Sequence, residues 1–426
     1  MSRVLVDSGV SWLGKIPDSW STCRVKNKFL FHKIIAKERS VNYDRIALTL
    51  NGVIKRDKDD SNGLQPDNYN GYQVVYKDDL IFKLIDLENV NTSRIGKSEY
   101  EGITSPAYLV LTDKCNTRYS LYYFLNMWYQ EIFNNIGGDG VRSAINKDDL
   151  LKVPFIDISI DEQKNIANFL DKQCAKIDEI INDNNREVEL LQEYKSNFIS
   201  KVIEKGMTGG VKKIDNKYIS SIPNNSSLVM LKQITNLITD GTHQTPTYIS
   251  DGIPFLSIKD ISSGIIDLSN CKYISNEEHK ALSKHANIEK NDLLFCRIGT
   301  LGKSIVVEEK FLPFDIFVSL GLIKIKKEII NPYYLKYVME SNYYKEYIEV
   351  VKIDGGVSAA KFNLSSVKSS PIILPKLDEQ NLIVKYLNKQ CSKLDQVIKY
   401  RKQIIEKLEE YKKSLIYECV TGKREV

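Results

Sequence analysis

The chain has 426 residues, 42% of them hydrophobic and 27% charged, and a net charge of +5. That length predicts two or three domains, each able to bury a core. No apolar run approaches the ~18 residues of a membrane span, the first residues lack a secretory signal's apolar stretch, and seven cysteines without a Cys-x-x-Cys spacing predict reduced thiols in a cytoplasmic protein.

The chain opens on Trp12-Leu13-Gly14-Lys15-Ile16-Pro17-Asp18-Ser19-Trp20. A fainter copy at Tyr218-Ile219-Ser220-Ser221-Ile222-Pro223 suggests that two modules begin alike, with an Ile-Pro turn leading into a first strand. β-branched and aromatic runs between turn residues predict strands at 45–50, 72–76, 80–84 and 108–111 in the first module, and at 253–258, 292–296, 304–307 and 320–325 in the second. Each module then has an aromatic helix, starting near Leu121 and at Pro332. Each of these ends at a glycine cluster, Gly137–Val141 and Asp354–Val357.

After each module comes a long helical pattern that begins Asp161-Glu162-Gln163 or Asp378-Glu379-Gln380, an acidic first turn that suits the helix dipole. A shift of 217 residues lays the first on the second: Leu170 on Leu387, Cys174 on Cys391, Tyr194 on Tyr411, Lys195 on Lys412. Four-three spacing over about five heptads is a coiled-coil seam. One row of it is Leu170, Ile177, Asn184, Leu191 and Phe198, matched by Leu387, Leu394, Arg401, Leu408 and Leu415. The other is Cys174, Ile181, Val188, Lys195 and Val202, matched by Cys391, Ile398, Ile405, Lys412 and Cys419. An antiparallel pair would place Asn184 opposite Arg401 at its middle, where polar residues fix register. Residues 161–205 hold 7 Lys/Arg and 10 Asp/Glu, whereas 378–422 hold 9 and 7. The helices are therefore opposite in charge and suited to pair. The expected fold is mixed α/β: two globular domains, 1–157 and 211–374, separated by helical spacers at 158–210 and 375–426, with a pseudo-twofold internal repeat.

No self-sufficient active site is legible. Gly299-Thr300-Leu301-Gly302-Lys303-Ser304 resembles the end of a phosphate loop, but Arg297 stands where the motif needs its first glycine, so a strand-to-strand turn is expected. Asn331-Pro332-Tyr333-Tyr334 lacks the second proline of a DNA aminomethyltransferase motif and reads as an Asn cap with Pro at the first helical position. Glu193-Tyr194-Lys195 and Glu410-Tyr411-Lys412 have a nuclease-like spacing but fall on the helices. The four histidines, His32, His243, His279 and His285, show no metal-ligand spacing. What remains are basic and polar side chains in turns, suited to phosphates and base edges. In the first module these candidates for DNA contact are Asn51, Lys55, Arg56, Lys83, Arg94 and Lys97. In the second they are Thr242, His243, Gln244, Thr245, Lys259, Arg297 and Lys303.

The opening motif, Gly252-Ile253-Pro254-Phe255-Leu256-Ser257-Ile258-Lys259-Asp260 with Arg297–Lys303, and the Pro-to-Asp-Glu-Gln start of both long helices together resemble the specificity subunit (HsdS) of type I restriction-modification systems. The duplicated arrangement carries more of that resemblance than any single motif. It implies a non-catalytic DNA-recognition subunit, with one half of a two-part target read by each globular domain and the spacer set by the helices. Implied partners are double-stranded DNA, two modification subunits that hold S-adenosylmethionine and methylate adenine, and restriction subunits that use ATP and Mg²⁺. No cofactor is expected on this chain. Tyr218 and Ser226 stand where the second module would have tryptophans. The alternative is a coiled-coil scaffold whose modules bind protein or another nucleic acid.

Overall fold

A computed structural model describes residues 3–50, 52–60, 66, 68–85, 87, 93–136, 144–207, 209–261, 264–353 and 359–426. Asn51 and both glycine clusters lie outside the described residues. The chain forms two units, Met1–Asn185 with Gln403–Val426, and Arg186–Lys402. Among the described residues no helix is long and apolar enough to cross a membrane.

In the first unit, Phe29–His32, Leu109–Asp113, Leu80–Phe82 and Ile95–Lys97 form one antiparallel sheet in that order. In the second unit, Thr235–Asp240, Leu320–Ile325, Leu293–Cys296 and Ser304–Val306 form its counterpart in the same spatial order. Smaller sheets repeat as well. Arg45–Thr49 pairs in parallel with Gly102–Thr104, and Ile253–Leu256 pairs in parallel with Asp315–Ile316. The module's first and last strands close on each other in both copies, Ser21–Arg24 on Pro154–Asp157 and Ser227–Met230 on Pro371–Leu374. The eight predicted strands are therefore present, four in each module. Phe29–His32 and Thr235–Asp240 were not predicted; the second of these carries no continuous apolar run, whereas Phe29-Leu30-Phe31 does.

The long helices span Ile160–Lys205 and Leu377–Val420. In the first unit the start of one lies antiparallel to the end of the other. Ile166, Leu170, Cys174 and Ile177 share a buried core with Leu415, Ile416, Cys419, Val420 and the aromatic helix Thr117–Tyr129. The second unit mirrors this, with Ile199, Val202 and Ile203 against Ile383, Val384, Leu387 and Cys391. Every seam position is buried or half-buried. Asp178 accepts from Lys412 Nζ at 2.7 Å, and Asp395 accepts from Lys195 Nζ at 2.6 Å. These two ion pairs are equivalents under the 217-residue shift. At the middle positions, buried Asn184 donates to Ile180 O of its own helix at 2.7 Å, and Arg401 Nε pairs with Glu187 at 2.8 Å.

The Asp-Glu-Gln motif acquires a structural role. Gln163 Oε1 accepts the Asn116 N–H at 2.9 Å, and Gln380 Oε1 accepts the Asn331 N–H at 2.9 Å. Their amides donate to Ile158 O and Pro375 O. Each buried glutamine thus satisfies backbone groups at the start of the aromatic helix and of the long helix together, groups that would be costly to bury unpaired. Each long helix ends on a left-handed glycine, Gly206 or Gly422, both at φ +72°. Gly206 sits against Pro223 and Gly422 against Pro17. Each module therefore grips the start of the helix that follows it and the end of the other helix. Trp12 stacks edge-on against Tyr123, and Tyr218 does the same against Tyr347, so the substituted aromatic keeps its packing. Trp20 donates to Glu162 at 3.1 Å, whereas its counterpart Ser226 is buried with no partner for its hydroxyl among the described residues.

Candidate nucleic-acid interface

In the second module, three chain segments meet at one end of the four-stranded sheet. They are the loop after Thr235–Asp240, the turn between Leu293–Cys296 and Ser304–Val306, and the residues before and after Phe317. Gly241 makes the approach possible, since a Cβ there would lie 2.0 Å from Ile316 O. Thr242 N–H donates to Ile316 O at 3.1 Å, and Val318 N–H donates to Thr242 O at 3.0 Å. The Gly299–Lys303 stretch is a strand-to-strand turn with Gly299 and Gly302 both left-handed, as its sequence predicted.

Asp240 is the hub of this end. Its Oδ2 accepts from Arg297 Nη1 and from His243 Nε2, the latter at 3.2 Å. Arg297 Nη1 also donates to Val318 O at 3.2 Å. Thr242 Oγ1 donates to Gln244 O at 3.2 Å, and the side chains of His243, Gln244 and Thr245 are exposed. Lys259 follows the strand Ile253–Leu256 and donates to Asn270 O at 3.3 Å. Lys303 lies beside Gly264, close to the same loops. The structure thus gathers Thr242, His243, Gln244, Thr245, Arg297 and Lys303 at one sheet end, with Lys259 on a neighbouring loop. Asp240 was missed by the sequence reading. Its only signal there is an acidic residue ending a strand immediately before Gly241.

At the opposite end of the strand Leu293–Cys296, burial raises the Asp292 carboxyl above the ordinary range against the opposing hydrogen bond from Lys324. Burial likewise raises Asp315, although His279 Nδ1 sits at 2.6 Å and opposes the shift. Both acids sit in supporting positions: Asp292 accepts the Glu289 N–H at 2.8 Å in the turn before a central strand. Asp79 does the same for Tyr76 N–H at 2.8 Å in the first module. Among the described residues no group of three or more His, Cys, Asp and Glu side chains is placed to hold a metal ion.

The first module's candidates do not converge in this way. Lys83 follows Leu80–Phe82 at the sheet end that corresponds to Arg297. Arg94 is next to it, joined by the bond from Lys83 N–H to Arg94 O at 2.9 Å. Arg94 itself departs from the expected surface setting: it is 2% exposed, and its Nη1 donates to Ile85 O. Lys97 lies at the opposite end of the sheet, held by Asp78 at 2.9 Å and Glu99 at 2.5 Å. Lys55 and Arg56 stand on the edge strand Gly52–Arg56, paired with Asp44 and Asp60 at 2.6 Å each. Lys33, which the sequence reading passed over, follows Phe29–His32 at the same end as Lys83 and is exposed.

Comparison with known proteins bears on this arrangement. Residues 223–410 match the type I restriction modification DNA specificity domain. The EcoBI specificity subunit of Escherichia coli is 25% identical over 99% of this chain and 90% of its own. The MjaVIII specificity subunit of Methanocaldococcus jannaschii is 23% identical over 82% of this chain and 80% of its own. A chain from a structure of a type I R-M system, solved in a study of complex assembly and conformational transition, superposes with a TM-score of 0.65 at 13% identity. That superposition covers 96% of this chain and 100% of the other, and shows a shared fold.

Proposed function

We propose that the chain belongs to the family of type I restriction-modification specificity subunits and is the sequence-reading component of such a complex, binding a two-part asymmetric DNA target. Residues 1–157 and 211–374 would each read one half-site, and the helices at 158–210 and 375–426 would set the unread spacer and dock the modification subunits. The observation that carries this reading is the contrast within the repeat. The two modules share a strand order and the same ties to the helices, while the loops at their sheet ends carry different basic and polar side chains. A common frame with divergent tips suits two readers of different sequences. Affinity would come from Lys and Arg on phosphates, and discrimination from side chains on base edges.

The chemistry belongs to partners in this proposal. Methyl transfer from S-adenosylmethionine, and ATP- and Mg²⁺-dependent translocation and cleavage, would occur on the modification and restriction subunits, with no cofactor on this chain. Replacing residues 211–372 by another second module, followed by mapping of methylated bases in a host carrying the complete system, tests the division of labour. One half of the recognised sequence should change and the other persist; a change in both halves refutes it. The scaffold reading predicts no steep salt dependence of duplex binding, whereas a DNA reader releases counterions and weakens strongly with salt.

A further inference from the structure

We infer that Arg297, oriented by Asp240, is the side chain through which the second module discriminates a guanine in its half-site. The inference rests on the reading of that module as a DNA reader, and adds which base and which residues. Asp240 and Arg297 are 14% and 15% exposed, yet they stand at a loop-bearing sheet end beside His243, which is 72% exposed. An ion pair desolvated to that degree adds little net stability, because removing both charges from water offsets their attraction. What it supplies is orientation. Arg297 Nη1 is occupied by Asp240 and Val318 O, and Nε is buried without a partner among the described residues. Nη2 has no partner among the described residues and is not among the buried atoms. The two N–H donors of Nη2 on a fixed guanidinium are therefore left for a ligand.

Guanine presents two acceptors, N7 and O6, in the major groove, whereas adenine places a donor beside its N7 and repels a second N–H. Asp240 also holds His243 through the same oxygen, so one carboxylate sets both side chains. Asp240 acts as a positioning residue and Arg297 as the reader. By strand register the first module has His32 at the position of Asp240 and Lys83 at that of Arg297, and His32 bonds to Asp79 at 3.0 Å. The effect is accordingly confined to one half of the target.

The test maps the bases methylated by the complete complex containing the wild-type chain, Arg297→Gln or Asp240→Asn. Arg297→Gln should relax one guanine position, lowering the preference for guanine there by about tenfold or more. Asp240→Asn should relax the same position by less, and the other half-site should stay intact in both. A motif unchanged by either substitution, relaxation at a position other than guanine, or relaxation in both halves would overturn the inference. Where Arg297→Gln abolishes modification altogether, as a folding failure would, Asp240→Asn decides by the same criteria. A wild-type complex with no two-part motif would instead sink the reading of the chain as a DNA reader, and this inference with it.

Discussion

The two modules differ where the aromatic helix meets the rest of each unit. In the first module it runs unbroken from Thr117 to Tyr129, and Trp128 and Tyr129 at its end line a cavity of about 1030 Å³ with Leu50, Ile181 and Lys413. In the second module it breaks at Ser341 into Pro332–Glu340 and Asn342–Val351. The second piece is tied to the first long helix: Asn342 N–H donates to Ser200 Oγ at 2.7 Å, and its side-chain amide donates to Asn197 at 2.7 Å. Yet the ties that anchor each module are the same. Tyr122 donates to Asp171, and Tyr337 donates to Asn388 at the position 217 residues later. The lesson is that the frame is specified by a few buried polar bonds and close approaches, and the remainder of each module is free to diverge.

Substitution of the two helix-ending glycines probes that comparison most strongly. Gly422→Ala places a Cβ 2.5 Å from the Pro17 ring and 2.8 Å from Trp20, whereas Gly206→Ala meets Pro223 at 3.3 Å. Both also force a left-handed alanine, at about 1–2 kcal/mol. Overpacking adds about 1–3 kcal/mol at Gly422. Denaturant unfolding should show the larger loss for Gly422→Ala, and equal losses would contradict the unequal fit.

Next come the glutamines. Gln163→Ala and Gln380→Ala each leave the N–H of the aromatic helix's cap residue without its acceptor, at about 1–3 kcal/mol. Gln380 also donates to Ile329 O at 3.0 Å, so Gln380→Ala should cost more than Gln163→Ala, by about 0.5–1.5 kcal/mol for the extra bond. A loss no greater for Gln380→Ala would mean that the second module does not depend on this extra tie.

The smallest effect is expected from the paired charges. Asp178–Lys412 and Lys195–Asp395 are partly exposed, so removing either should cost no more than about 1 kcal/mol and less at high salt. Exchanging the charges within one pair should restore most of the loss. Failure to do so would show that the bond geometry matters more than the charge.

Much of this frame was legible in the sequence because the repeat is strongest in the long helices, where a 217-residue shift aligns apolar positions one by one. The seam lysines 195 and 412 and the Asn331–Pro332 cap also followed from spacing and cap chemistry. The candidate interface was legible only in part. The second module's loop residues gather as a group, since turns dense in Gly, Thr and Lys mark a strand end. Arg94 could not be placed, because its burial arises from packing in the folded module, which leaves no local trace in the sequence. Asp240 was hidden for a related reason: its meaning depends on Arg297, 57 residues away.

The seating of Gly422 on Pro17 has a consequence for synthesis. The first module's core includes Leu415, Ile416, Cys419 and Val420, and Tyr119 donates to the carbonyl of Val420. The second unit's residues end at Lys402. At about 5–20 residues per second, the module translated first therefore waits tens of seconds for the segment that completes it, and the module translated second is the first able to close.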